Sequence, residues 1–329
     1  MIRRDLQRRK SQLLQLTDFA PDLGSFREEV LCGLRKPQKE LPSKFFYDER
    51  GSELFERICA LDEYYPTRLE LGIMRDFAGE IVAVLGPHCL LVEYGSGSST
   101  KTRILLDHLT QPAAYVPIDI SKELLIQAAL TLVEAYPDLE VLPVCADYTT
   151  DFCLPTPATQ PTRTVVYYPG STIGNFDREP ALHFLRHIAG ACGQGGGMLI
   201  GVDLRKDPIK LHHAYNDWEG VTAAFNLNLL ARINIELEAD FHLERFRHYA
   251  FYNPREGRVE MHLVSLDNQI VHVGDAEFLF TIGESIWTES SYKYRVDEFA
   301  ALAAVAGFRV EHVWMDPQEL FSVQYLTVA

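Results

Sequence analysis

Residues 89–102 read CLLVEYGSGSSTKT, an apolar run that breaks into a glycine-and-serine turn and then resumes as a helix. Cys89 to Val92 are apolar on both faces, the pattern of a central parallel strand covered by helices on either side. Gly95 and Gly97 let the backbone bend sharply and lie close to a ligand, because neither carries a Cβ. Lys101 to Leu106 restart a helical pattern. A strand, turn and helix in this order aim free amide N–H groups at a bound molecule, which makes a nucleotide-type pocket in a doubly wound α/β sheet.

The turn also restricts the nucleotide. A dinucleotide fingerprint places its third glycine at position 100, and here the residue is Thr100, which disfavours NAD. Glu93, just ahead of Gly95, instead gives E-x-G-x-G, which resembles the first motif of S-adenosylmethionine (SAM) methyltransferases. The strand AAYVPIDIS (113–121) carries Asp119 near its end, where a carboxylate can accept both hydroxyls of a ribose. In LEVLPVCADY (139–148), Asp147 and Tyr148 stand where an adenine would lie, one to accept from an amine and one to stack. An acidic strand end followed by a half-buried core tyrosine fits those two residues equally well. VVYYPGSTIGNF (165–176) is a fourth strand opening into a polar turn, so Gly170, Ser171, Thr172 and Asn175 face the reacting atom of the cofactor.

At 329 residues, with 47% hydrophobic and 23% charged, the chain is an ordinary folded globular protein with room for two domains. A net charge of −15 argues against nucleic acid as a partner, because phosphates require cations to neutralise them. A small-molecule substrate is expected. The basic start, Arg3 to Lys10, reads as a solvated helix; it lacks a signal-peptide core, and no apolar run approaches a membrane span, so a cytoplasmic protein with no membrane partner is expected. Six scattered cysteines with no C-x-x-C pair read as small buried hydrophobes, with neither zinc nor a disulfide framework. His212, His213 and Asp217 are no metal site, since adjacent histidines on a helix point about 100° apart.

Residues 1–40 read as helical and amphipathic, through Leu13, Leu14 and Leu16 to Phe26, Val30 and Leu34. Asp48 and Ser52 offer caps for the helix that follows, and a helix is expected over 69–85. Strand and helix then alternate to Leu204 and stop: 210–241 is helical, and 258–294 alternates as antiparallel strands with Asn268 as a hairpin turn. The last two strands, 308–316 and 321–329, are joined too closely to be parallel. Such a C-terminal hairpin is similar to that of class I SAM methyltransferases. The expectation is a Rossmann-like seven-stranded sheet with an antiparallel last strand, plus an inserted α+β substrate domain. Residues 69–204 and 295–329 would bind SAM, 205–294 would be the insert, and 1–68 would join it.

The segments FFYDERGSELFE, DEYYPTR, VEYGSGSSTKT, YVPIDIS, YPGSTIGN, GVDLRKDP, AYND, TAAFNLNLL, VEMHL and WTESS resemble, in order, the histidine Nα-methyltransferases of ergothioneine biosynthesis. The resemblance runs from about Leu41 to the C-terminus and implies conversion of L-histidine to its Nα-trimethyl betaine with SAM as co-substrate, by a protein that is a monomer. It implies that Gly95, Gly97, Lys101, Asp119, Asp147 and Tyr148 hold the cofactor. Tyr47, Asn175 and Tyr215 would be catalytic, with Tyr64 helping to close the site. Glu289 and Ser291 would read the side chain, with Met261 as a pocket wall and Phe225 as a further ring. Trp287, before the Thr288–Glu289 pair, departs from the family's usual polar residue. Related members methylate other amino acids such as tryptophan derivatives, and a SAM-binding protein without turnover is the alternative from a different class.

Overall fold

The apolar run is the central strand β2 (Leu90–Tyr94), buried along its whole length. The computed structural model describes residues 16–19, 23–97, 99–150 and 152–329, so the basic cluster Arg3 to Lys10, with Leu13 and Leu14, lies outside it. On one side of β2 stand β3 (Ala114–Asp119), β4 (Val144–Ala146) and β1 (Thr17–Phe19). On the other stand β5 (Thr164–Tyr168), β6 (Gly197–Asp203), β13 (Phe321–Val328) and β12 (Phe308–Met315). The sheet order is β1-β4-β3-β2-β5-β6-β13-β12, and β13 alone runs antiparallel to the rest.

The expected seven strands are therefore eight. β1, only three residues long, pairs in parallel with β4 at the sheet edge and is too short to show a periodicity in sequence. The third strand expected over 139–148 pairs along only Val144–Ala146, with an isolated bridge from Val141 to Tyr115. The single helix expected over 69–85 is two, α3 (Tyr65–Asp76) and α4 (Ala78–Leu85), because the chain leaves helical geometry at Phe77 with φ −112° and ψ 13°. The helical stretch 210–241 likewise divides into α8 (Pro208–Tyr215) and α9 (Val221–Leu237).

Alternation along the strands sends side chains to two cores. Leu91, Tyr115, Val165 and Tyr167 face α3, α4, α5 (Thr100–Leu106) and α6 (Lys122–Ala135). Leu90, Val92, Val116, Val166 and Tyr168 face α7 (Arg178–Cys192) and α10 (Val296–Val305). A third core joins two distant parts of the chain. Phe26, Val30 and Leu34 on α1 (Leu23–Leu34), with Phe45, Phe46, Leu54 and Ile58, pack with Phe225, Leu229, Met261 and Ile286. The strands there are β7 (Phe246–Asn253), β8 (Arg258–Ser265) and β11 (Ser285–Tyr292), in the antiparallel order β11-β8-β7. Asn268 does not make the hairpin expected of it, since β9 (Gln269–Val273) pairs with β10 (Ala276–Phe280) and not with β8. The turn of that hairpin is Gly274–Asp275, with Gly274 at φ +55°. No helix of the described residues is long and apolar enough to cross a membrane.

A strap, residues 39–48, crosses from the N-terminal segment to the sheet face. The Trp287 N–H donates to Lys39 O at 2.8 Å, and the Leu41 N–H donates to Trp287 O at 2.9 Å, so the strap adds to the edge of β11. Arg232 Nη1 on α9 donates to Phe45 O at 2.9 Å. Asp48 then caps α2 (Glu49–Ala60), accepting from the Gly51 N–H at 2.6 Å.

Glu93 lies under the β2 turn, 1% exposed, and takes hydrogen bonds from the Thr102 and Tyr115 hydroxyls. It ties β2 to α5 and β3. Burial pushes its carboxyl up to about 8 against the pull of those bonds. A carboxyl raised in the folded state costs nothing below its unfolded value of about 4.3 and weakens folding progressively as pH climbs towards 8. Glu93→Gln should therefore show a flatter fall of Tm between pH 6 and 8.5 than the parent protein; parallel Tm curves for the two would contradict the buried, raised carboxyl.

Candidate active site

Gly95 and Gly97 have φ of +74° and +49°, the left-handed region that favours glycine, and a Cβ on Gly97 would meet no neighbouring atom within 4 Å. The turn opens on a cavity of about 560 Å³ at the C-terminal ends of β2 to β5, lined by Gly95, Gly97, Lys101, Asp119, Asp147 and Tyr148 among others. Asp119 accepts from the Gly97 and Ser121 N–H groups, both at 2.9 Å, yet burial still pushes its carboxyl above the ordinary value. The Tyr148 ring packs edge-on to Tyr94 and Tyr168, with centroids 5.9 and 5.8 Å away.

Two of the expected cofactor residues reach the cavity with partners. Lys101 Nζ pairs at 2.5 Å with Glu70, whose carboxylate also accepts from the Gly170 N–H at 2.9 Å. Asp147 accepts from Lys44 of the strap at 2.7 Å and from the Thr149 N–H at 2.9 Å. Burial opposes ionisation of Asp147, but these bonds outweigh it and hold the carboxyl below its ordinary range.

Beyond the cavity lies a recess of about 40 Å³ lined by Tyr215, Ser291, Lys293 and Asp203. Tyr47, Phe55, Tyr64, Asn175 and Glu289 line both spaces and form the passage between them. The rings meet edge to face: Tyr47 with Phe55 at 5.6 Å, Phe55 with Tyr64 at 6.4 Å, and Tyr64 with Tyr215 at 6.3 Å between centroids. Burial, then the Glu289 charge, hold the Tyr47 phenol well above its ordinary value; burial and the neighbouring Tyr215 do the same for Tyr64. Both remain neutral hydroxyls at any working pH.

Glu289 and Ser291 stand two apart on β11 and project to one face. The register with β8 slips between Trp287 and Glu289, a bulge that leaves Thr288 as the extra residue. The Glu289 carboxylate has no hydrogen-bond partner among the described residues, and burial pushes it up to about 7 against the Lys293 charge. Trp287 lies at the cavity mouth, stacked on His262 at 6.0 Å with the Arg258 guanidinium 4.3 Å from its ring.

Two residues expected in the pocket lie outside both spaces. Met261 pairs with Glu289 across β8 and β11 and packs into the core, only 2% exposed, so it backs the site instead of lining it. Phe225 supports Tyr47 from behind, centroids 5.9 Å apart. The structure adds Phe55 and a buried ionic group that the sequence did not disclose. Asp203 takes Lys293 at 2.8 Å, Lys206, and the Tyr65 hydroxyl at 2.8 Å. Lys293 had a visible signal, since 289, 291 and 293 share one strand face by the period of two. Among the described residues no group of three His, Cys, Asp or Glu side chains could hold a metal.

A parallel sheet with an antiparallel strand slotted between β6 and β12, and a glycine turn facing a carboxylate at the next strand tip, defines a SAM-dependent methyltransferase. The family model for histidine-specific, SAM-dependent methyltransferases matches residues 26–328, and the chain belongs to that family. It is 42% identical over 299 residues to the histidine N-alpha-methyltransferase of Mycolicibacterium smegmatis, covering 89% of this chain and 92% of that one. Identity to the Mycobacterium tuberculosis protein of the same name is 41%, over 89% and 91% of the two chains. The ergothioneine biosynthesis protein 1 of Neurospora crassa is 31% identical over 84% of this chain, which spans 32% of that longer protein.

The turn, Asp119 and Tyr148 suit SAM: the glycines leave the backbone free to approach, and Asp119 is an acceptor matched to a vicinal diol. Asp119→Ala should raise the SAM dissociation constant by about ten- to a hundred-fold, the range for losing charge-assisted hydrogen bonds. Calorimetry that found SAM affinity unchanged would remove Asp119 from the ribose position.

Proposed function

We propose that this protein transfers three methyl groups in succession from SAM to the α-amine of L-histidine, giving Nα,Nα,Nα-trimethylhistidine as a step of ergothioneine biosynthesis. The observation that carries the substrate is Glu289, an enclosed carboxylate with no hydrogen-bond partner among the described residues, two residues from Ser291 at a recess that opens onto the SAM cavity. A carboxylate and a hydroxyl on one strand face can take the two ring nitrogens of an imidazole. An apolar side chain there would leave both buried and unpaired. The likeness to relatives named histidine N-alpha-methyltransferase supports the same reading.

Bound SAM supplies an electrophilic methyl group on a sulfonium. The protein's task is then to align the amine and to keep its lone pair free, which is catalysis by position more than by acid or base. Asn175 and Tyr47 orient the amine, and Tyr64 holds the amino-acid end with the Tyr215 ring packed against it, the Tyr215 hydroxyl being engaged by Ser291 and Lys293. Because Tyr47 and Tyr64 stay neutral, they serve as hydrogen-bonding partners and not as proton-abstracting bases, so the ammonium proton leaves to solvent. Each added methyl removes a hydrogen-bond donor and leaves a softer cation. The rings of Tyr47, Phe55 and Tyr64 favour that cation by about 0.5–2 kcal/mol per contact. On this reading 69–204 and 295–329 hold SAM, while 205–294 with the N-terminal segment holds the amino acid. The third core, which joins Phe26 to Tyr65 with Leu211 to Ile286, supports that division.

Incubation with SAM and a mixture of free amino acids should move histidine by one, two and three methyl masses; a shift on another amino acid, with histidine untouched, refutes the substrate. Glu289→Ala should weaken histidine binding at least tenfold, about 1.4 kcal/mol, while SAM binding changes less than about twofold.

A further inference from the structure

The Lys293 side chain is only 1% exposed and spends all three of its N–H donors on fixed acceptors: Asp203 Oδ2 at 2.8 Å, Ser291 Oγ at 2.8 Å and the Tyr215 hydroxyl at 3.0 Å. The Tyr215 hydroxyl in turn donates to Ser291 Oγ at 2.7 Å. Ser291 Oγ therefore accepts two hydrogen bonds, which fills both lone pairs of a hydroxyl. Its own hydrogen is what remains for a ligand. The tyrosine and serine between them own two hydroxyl hydrogens, one is consumed in their mutual bond, and one points outward.

We infer that Lys293 is a positioning and specificity-determining residue that fixes Ser291 as a hydrogen-bond donor, so that the recess accepts only the neutral, singly protonated imidazole ring. This rests on the histidine reading above and deepens it. Glu289 takes the ring N–H, and Ser291 gives its hydrogen to the bare ring nitrogen. An imidazolium offers two N–H groups, and the second would meet a hydroxyl with no lone pair to spare and a lysine charge behind it. A protonated Glu289 fails as well: its carbonyl oxygen could still accept the ring N–H, but with Ser291 already serving the one bare ring nitrogen its own O–H would be left buried without an acceptor.

The groups around this corner define the pH behaviour. Tyr47 from the strap, Tyr64 and Tyr65 at the start of α3, and Tyr215 from α8 are all held above their ordinary values, chiefly by burial, as is Cys59 on α2. Asp203 on β6 is held low, because its two lysines outweigh its burial. Lys293 lies above its ordinary range, the Asp203 and Tyr215 partners outweighing burial, and Lys206 is pulled down by burial to about 8. Glu70 and Lys101 remain a pair across the cavity. His248, bonded to Tyr215 O behind α8, is pushed down by burial. Glu289, at about 7, is thus the protein group that takes up a proton as pH falls below neutrality at the ligand face. Free histidine takes up its own at about 6.5.

Both protons must leave on binding, so the histidine dissociation constant should rise about a hundredfold per pH unit as pH falls from 6 to 5, ten for each proton. Calorimetry on the full chain measures that slope. In Lys293→Met, Asp203 keeps Lys206 and Tyr65 while Ser291 regains a lone pair, so imidazolium can bind and the slope should drop to about tenfold per unit. Unchanged S-adenosylhomocysteine binding serves as the check on folding. Should that variant not fold, 15N NMR of labelled histidine on the parent protein at pH 6 gives the same answer, with one protonated and one bare ring nitrogen in the bound state. A parent slope of tenfold per unit, a variant slope equal to the parent's, or a bound imidazolium would each overturn the inference and leave histidine as substrate. No histidine binding at any pH would bring down the substrate reading and this inference with it.

Discussion

One buried carboxylate, Asp203 at the tip of β6, organises the floor of the site. It holds Lys293 from the end of β11, Lys206 from the loop before α8, and the hydroxyl of Tyr65 from α3. Its own N–H donates to Ser171 Oγ at 2.9 Å, in the turn that carries Asn175. Charges out of water persist only when paired, and removing one partner from such a group typically costs about 3–5 kcal/mol. The sheet, the β5 turn, the end of β11 and α3 are therefore locked to one another at the recess.

The two halves of the site obey different physics. The half around the glycine turn is built of backbone: a turn and strand tips whose positions follow from a continuous parallel sheet. The half around Glu289 is built of side chains brought from far apart, and it depends on the strap. Backbone hydrogen bonds from the Trp287 N–H to Lys39 O and from the Leu41 N–H to Trp287 O lay the strap along β11, which delivers Tyr47 to the passage and Lys44 to Asp147. A single segment thereby reaches both the glycine-turn cavity, through Lys44, and the passage to the recess, through Tyr47.

Much of this was legible along the chain because the signals are local. The strand, turn and helix at 89–102 showed the pocket, Asp119 followed from the next strand tip, and the short link between β12 and β13 forced an antiparallel pair. Other roles changed on folding. Glu93, the acidic residue of the glycine motif, faces inward to Thr102 and Tyr115, and Lys101 is engaged by Glu70 from a helix 31 positions earlier. Met261 carries a pocket-wall expectation but sits in the core opposite Glu289. Phe55 gave no more than an amphipathic helix pattern, and its place between Tyr47 and Tyr64 depends on how α2 packs against α9.

The sequence by itself determined the doubly wound α/β class, its glycine turn and the placing of Glu289 and Ser291 on one strand face, because periodicity, chain reach and the absence of a Cβ act between near neighbours. The tertiary structure alone decided what each of those side chains can do. Whether Ser291 gives or takes a hydrogen bond depends on Lys293, Tyr215 and Asp203 converging from three elements. Hydrogen-bond polarity is a property of the assembled neighbourhood, and no spacing along the chain encodes it.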